Sequence, residues 1–272
     1  MRLDGELLLV GCGKMGGAML EGWLSRGLLP GDVVIVEPNA EIGSGLARRG
    51  LKHYAEAAAL PGTLGPAVIL LAVKPQTMDG ALAAVARFGG PGTLVLSIAA
   101  GKTLGYLARH FRERTAVVRA MPNTPAAVGH GITVAVANPE VTPAQRATAE
   151  DLLAAVGEVA WVEDEALMDP VTALSGGGPA YVFLLMEVLA QAGVAAGLPA
   201  DLSERLARRT VEGAGELSRL SGESPAALRK NVTSPGGTTL EALKILMAED
   251  GLQPLFQRAV AAASRRSREL AD

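Results

Sequence analysis

Apolar positions in the first 160 or so residues gather into short, near-continuous runs. Glu6–Val10, Val33–Val36, 67–73, 94–100, 116–119, Gly131–Ala137 and 158–162 are each too short for a helix and interrupted by few polar residues. Runs of that kind predict strands covered on both faces, as in a parallel sheet. Residues 18–28 and 143–156 instead repeat at helical spacing. From about Glu165 the strand-like runs stop and only helical periods remain. Asp169-Pro170 reads as an N-cap followed by a first helical residue. Ser175-Gly176-Gly177-Gly178-Pro179 reads as a turn opening a long apolar helix through Ala196, which Gly197-Leu198-Pro199 stops. Further helices are predicted at about 201–220, 225–231, 239–249 and 252–269.

The first strand runs into Gly11-Cys12-Gly13-Lys14-Met15-Gly16 and then a helix. Glycines at that spacing between strand and helix permit a tight turn and the close approach of a pyrophosphate to the helix N-terminus. The pattern therefore predicts an α/β chain: a Rossmann-type dinucleotide-binding domain over residues 1–164 and an all-α domain over 165–272. In open α/β sheets ligands sit outside the C-terminal strand ends. The residues expected there are Gly11, Gly13, Lys14, Met15 and Gly16; Ala72, Val73, Lys74 and Pro75; Ala99; and Met121 and Asn123, the last able to present its amide to a carboxamide. Glu37 ends the second strand. An acid there accepts hydrogen bonds from an adenosine ribose and favours NAD(H), while Ser44, Arg48 and Arg49 further on keep NADP(H) open.

A second stretch of chemistry lies near the C-terminal end, at Val232-Thr233-Ser234-Pro235-Gly236-Gly237-Thr238-Thr239-Leu240-Glu241. A proline and two glycines make a tight turn, and Thr238 with Glu241 has capping-box spacing, so a helix is predicted to start here. Such a start turns backbone N–H groups and a positive dipole end outward. With three hydroxyls beside it, the turn can seat one carboxylate and touch a neighbouring atom.

Composition narrows the choice. A hydrophobic share of 49% with only 3% aromatics predicts a core of Ala, Leu and Val. A net charge of −3 and the lack of a basic stripe argue against a nucleic-acid partner. One cysteine, Cys12, cannot form an internal disulfide and fits a reducing, cytoplasmic setting. The apolar stretch 180–198 is interrupted by Glu187 and Gln191 and reads as a helix buried between subunits rather than a membrane span. No cluster of His, Cys, Asp and Glu has metal-ligand spacing, so no metal is expected.

Taken together, the glycine loop, Ala72-Val73-Lys74-Pro75-Gln76, Arg119-Ala120-Met121-Pro122-Asn123-Thr124-Pro125, Ser175-Gly-Gly-Gly-Pro-Ala-Tyr181 and the Val232–Leu243 stretch resemble pyrroline-5-carboxylate reductases over nearly the whole chain. The resemblance implies reduction of a cyclic imine, 1-pyrroline-5-carboxylate, to L-proline with NADPH or NADH. It also implies an intertwined homodimer through the helical domain, which can build up into a decamer of five dimers. It implies that Ser234 and the backbone of Gly236, Gly237 and Thr238 hold the substrate carboxylate, and that Thr239, the expected catalytic residue, touches the ring nitrogen. Gly177 departs from the family's second serine before the long helix, and Lys14 stands where an asparagine is common.

Two other readings fit the sequence less well. A β-hydroxyacid-type dehydrogenase would carry a catalytic lysine in the inter-domain helix, and 180–198 has none. A dinucleotide sensor would need a partner-binding arm, and none is seen.

Overall fold

The computed structural model describes residues 3–271. In chain order these form β1 (Glu6–Val10), α1 (Lys14–Ser25), β2 (Val33–Val36), α2 (Ala40–Arg48), β3 (Lys52–Tyr54), β4 (Pro66–Leu71), α3 (Met78–Val85), β5 (Leu94–Ser97), α4 (Leu104–Ala108), β6 (Ala116–Met121), β7 (Gly131–Ala137), α5 (Pro143–Leu153) and β8 (Gly157–Trp161). Helices alone follow: α6 (Met168–Val171), α7 (Gly178–Ala195), α8 (Ala200–Ser221), α9 (Pro225–Asn231), α10 (Thr238–Leu246) and α11 (Leu252–Glu269). The chain divides into two compact units. One runs to Gly176 and takes back the residues from Ala263 onward, and the other is Gly177–Ala262.

The first unit is built on one sheet of order β3-β2-β1-β4-β5-β6-β7-β8. Strands β1 to β6 pair in parallel, β7 runs antiparallel to β6, and β8 is parallel to β7. Successive residues of a strand face opposite sides, so Leu7 and Leu9 enter one core while Leu8 and Val10 enter the other. Met19, Leu20 and Trp23 of α1, Leu46 of α2 and Leu152 of α5 cover the first face. Met78 and Leu82 of α3 with Tyr106 and Leu107 of α4 cover the second. Trp23 Nε1 donates to Leu152 O at 2.8 Å, tying α1 to α5 inside the core. The order 3-2-1-4 reverses direction of winding at β1, which opens the crevice between β1 and β4.

Four details differ from the sequence pattern. Strand β3 was not predicted, because Lys52-His53-Tyr54 is polar and lies at the edge of the sheet. Strands β4 and β5 end before their apolar runs do, although Ile98 N still donates to Leu71 O at 3.1 Å and Ala99 stays in the core. Asp169 is not an N-cap. It lies within α6 and accepts a hydrogen bond from Ser267 Oγ at 2.7 Å, while Asp164 caps the preceding 3₁₀ turn through Ala166 N at 2.9 Å. After α6 the chain adds one π-helical turn, Thr172–Gly176.

The second unit pairs α7 with α8. The helices approach closely where Gly193 faces Ser203, and Ser203 Oγ donates to Ala190 O at 2.7 Å. Gly197, at φ +99°, ends α7 as its sequence suggests. Helix α7 buries no side chain, and Phe183, Leu184, Leu185, Val188 and Leu189 are all exposed. Glu165–Ala195 is one stretch long and apolar enough to cross a membrane by length and composition alone.

Candidate active site

The glycine loop shows what each glycine is for. Gly11 sits at φ +91°, and a Cβ there would come within 2.8 Å of Ala72 O. A Cβ on Gly16 would overlap Gly11 O, so this glycine lets α1 pack against the strand end. Gly13 has nothing within 4 Å of its Cβ direction, leaving open space over the loop. Helix α1 starts just after Gly13, which supplies no side-chain cap, so first-turn N–H groups face outward. Lys14 is exposed and Met15 half-buried. These are the features a pyrophosphate requires: a tight turn, an unobstructed backbone and an open helix N-terminus.

Glu37 follows β2 directly and is 7% exposed. Its Oε2 accepts from Cys12 N at 2.7 Å and its Oε1 from Asn39 N at 2.9 Å. Burial, and then the Glu37 and Glu21 carboxylates, push the Cys12 thiol up to about 11, which leaves it a protonated, unreactive sulfur.

The remaining predicted cofactor residues lie at the same edge of the sheet. Ala72 N donates to Val10 O at 2.8 Å, extending the β1–β4 pairing into the crevice. Val73 is half-buried, Lys74 is exposed, and Pro75 opens a 3₁₀ turn. Ala99 is buried and its N–H donates to Ser97 Oγ at 3.3 Å. Met121 ends β6, its methyl filling the space a Cβ on Gly176 would take. Asn123 Oδ1 accepts from Ile132 N at 3.0 Å and Nδ2 donates to Ser175 Oγ at 3.2 Å, which leaves one Nδ2 hydrogen for a ligand.

Sequence reasoning passed over the polar groups that brace this edge. Arg119, 4% exposed on β6, donates from Nη1 to Glu165 Oε1 at 2.8 Å, and the same oxygen accepts Leu104 N at 2.8 Å. One carboxylate thereby fixes the end of β6 and the start of α4. Tyr106 of α4 hydrogen-bonds Asp79 of α3, and burial together with that bond pushes the phenol up to about 12. The same bond holds the Asp79 carboxyl below its ordinary range. Lys102 Nζ lies 4.2 Å from the Tyr106 ring centre. Arg119 stood inside a recognised motif, but nothing in a sequence pairs it with a glutamate 46 positions away.

In the second unit the residues expected to hold the substrate share one turn. Gly236 is at φ +68°, a left-handed conformation glycine takes without strain. Gly237 N donates to Ser234 O at 3.1 Å, so this amide closes the turn rather than facing a ligand. The predicted capping box is absent. Gly237 is the N-cap, without a side-chain bond, and Glu241 pairs with Lys244 at 2.7 Å instead. The helix starts one residue earlier than a Thr238 cap would allow. Thr238 and Thr239 therefore occupy the first turn, both exposed, and the N-cap Gly237 offers no side-chain hydrogen bond to the helix start. Ser234 is exposed beside them. Among the described residues no group of His, Cys, Asp and Glu could hold a metal ion.

Comparison with known proteins bears directly on this arrangement. Residues 165–270 match the pyrroline-5-carboxylate reductase dimerisation family, and residues 6–101 match the family described as NADP oxidoreductase, coenzyme F420-dependent. The chain is 42% identical to the pyrroline-5-carboxylate reductase of Synechocystis over 97% of its own length and 98% of the relative's. The chain belongs to the pyrroline-5-carboxylate reductase family. The Pseudomonas aeruginosa enzyme of that name is 39% identical over 98% of this chain and 97% of its own length. A solved pyrroline-5-carboxylate reductase from Coxiella burnetii superposes with a TM-score of 0.91 at 33% identity, covering 99% of this chain and 100% of that one. A Plasmodium falciparum pyrroline carboxylate reductase with NADP bound superposes at 0.81 with 28% identity, over 99% of each chain. The α/β class, the helical dimerisation segment and the nicotinamide-dependent oxidoreductase class read from the sequence therefore stand.

Proposed function

We propose that this chain reduces 1-pyrroline-5-carboxylate to L-proline with NADPH or NADH, in the last step of proline biosynthesis. The observation that carries this reading is the Ser234–Thr239 turn: an uncapped helix start flanked by hydroxyls, in a chain of this family. The functional boundary is taken at 164/165, where the family match begins, with 1–164 for the coenzyme and 165–272 for substrate and dimer.

The nicotinamide coenzyme, when bound, supplies the hydride. The first unit's residues give it a seat: the glycine loop for the pyrophosphate, Glu37 for the adenosine ribose, and 72–75, Ala99, Met121 and Asn123 along the crevice. The α10 turn takes the substrate carboxylate on the amides of Gly236, Thr238 and Thr239 and the Ser234 hydroxyl, where the helix dipole favours an anion. Gly237 acts by closing the turn. That anchor limits where the imine carbon can lie, and orientation of this kind is worth many kcal/mol of barrier.

Reduction puts the hydride on the imine carbon, moves the C=N π pair onto nitrogen and leaves nitrogen with its proton. Thr239 orients the ring by accepting a hydrogen bond from the protonated nitrogen. An isolated Thr hydroxyl is a poor acid, so orientation rather than proton donation is its role. The homodimer formed through α7 completes the helical unit, and an assembly of five dimers is the larger form the family resemblance implies. The enzyme works in the cytoplasm, without nucleic-acid or membrane partners.

The test is steady-state oxidation of NADH and NADPH with pyrroline-5-carboxylate, wild type beside Ser234→Ala. Turnover whose KM for the imine rises about tenfold or more in the variant supports the reading, because one charged hydrogen bond is worth that much. A folded protein that binds coenzyme and turns over neither would contradict it.

A further inference from the structure

We propose that this chain selects NADH over NADPH and that Glu37 decides the choice, using one face of its carboxylate for the ribose and the other to hold the glycine loop. The inference rests on the coenzyme reading above and goes beyond it.

Glu37 is pinned at both ends. Its backbone N donates to Tyr54 O at 3.0 Å, and its carbonyl meets His53 Nε2 at 2.9 Å, so β3 fixes where the residue sits. Each carboxylate oxygen accepts one backbone N–H, Cys12 at 2.7 Å and Asn39 at 2.9 Å. A carboxylate has about four acceptor positions, so about two remain. Both are acceptors with no donor of their own. A ribose 2′,3′-diol brings two O–H donors and matches them. A 2′-phosphate brings only further acceptors and negative charge, so it meets repulsion and unmade hydrogen bonds.

The loop that follows Glu37 directly offers a phosphate no seat. Residues 37–41 read Glu-Pro-Asn-Ala-Glu and contain no cation. The N-terminus of α2, the nearest helix start, is filled by Asn39 Oδ1, which accepts Glu41 N at 3.0 Å and Ile42 N at 3.1 Å. Arg49 is engaged by both oxygens of Glu21, and Lys52 by Glu6 at 2.7 Å. The carboxylate cannot swing aside, because doing so strips the Cys12 amide inside the glycine loop of its acceptor. Selection and loop order are thus one device.

The test uses ADP-ribose and its 2′-phosphate, which carry the distinguishing half of each coenzyme and need no reaction. Titration calorimetry on the wild-type protein should give ADP-ribose an affinity at least about tenfold higher. Glu37→Gln should bring the two within about threefold, mainly by weakening ADP-ribose, because an amide cannot accept both backbone N–H groups. Glu41→Gln, on the same loop, should leave the wild-type ratio within about twofold. Should Glu37→Gln fail to fold, Glu37→Ser with Asn39→Arg offers the phosphate a cation and should reverse the order. Equal or tighter wild-type binding of the phosphorylated ligand overturns the proposal, as does an unchanged ratio in folded Glu37→Gln. Discrimination between the ligands without any imine reduction would leave this inference standing and remove the proposed reaction instead.

Discussion

Up to Gly176 the chain buries both faces of an eight-stranded sheet, whereas between Gly177 and Ala262 only Ser203 and Ala207 are buried. The first region encloses its own core. Its candidate site residues are held by tertiary bonds: Glu37 to the glycine loop, Asn123 to β7 and the π turn, Arg119 to Glu165. The second region displays Phe183, Leu184, Leu185 and Val188 to the outside, and the bonds that hold its proposed substrate turn, such as Gly237 N to Ser234 O, are local. A helical unit with so little buried cannot offset its ordering entropy by itself. A family dimerisation segment covering 165–270 accounts for the exposed apolar face.

The contrast can be broken most severely at that face. Leu184→Glu with Val188→Glu, one turn apart on α7, should abolish the dimer and reduce activity to below about 1%, since charges placed in an apolar interface core are not tolerated. Sedimentation would read the mass and circular dichroism the helix content. A dimeric, active double variant would mean the exposed face is not the interface.

Next comes the bracing of the first region. Glu165→Ala leaves Arg119 buried without its partner and Leu104 N without its acceptor, and should cost about 2–4 kcal/mol in denaturant unfolding, somewhat less than a fully enclosed pair because Glu165 is partly exposed. Lys244→Ala breaks an exposed pair in the second region and should cost less than about 0.5 kcal/mol. Similar costs for the two would erase the distinction.

Thr239→Ala tests the substrate turn. Loss of an orienting hydroxyl should lower kcat/KM by about 3–30-fold with little change in stability, because Thr239 is exposed; a general acid would cost about 10²–10⁴-fold. The smallest effect concerns pH. The Cys12 thiol is raised from 9.0 unfolded to about 11 folded, chiefly by burial. The folded state therefore holds this proton more tightly, and its contribution is full below pH 9 and lost as pH rises through about 11. Cys12→Ala should flatten the alkaline loss of stability between those values by about 1–2 kcal/mol.

How much was legible in the sequence follows the same division. The long strands and the glycine loop were readable because their patterns are local. Strand β3 was not, since an edge strand has little apolar signal. The helix start at α10 was found, but not its register: Thr238 with Glu241 has capping spacing, and only the backbone shows that Gly237 takes the cap. That one-residue difference matters, because it leaves Thr238 and Thr239 open. Glu37 was read as a ribose acceptor, but its hold on Cys12 joins positions 25 apart and could not be seen. The Glu165 brace was missed for the same reason.

In the proposed reaction hydride passes from a nicotinamide coenzyme to the carbon of a cyclic imine anchored by its carboxylate. Coenzyme carrying deuterium at the transferable position, incubated with pyrroline-5-carboxylate and the wild-type enzyme, tests it most directly. The account predicts proline with one deuterium on the carbon that was the imine carbon, formed in equal amount to oxidised coenzyme. Proline without deuterium at that carbon, or coenzyme oxidised without proline, would contradict it.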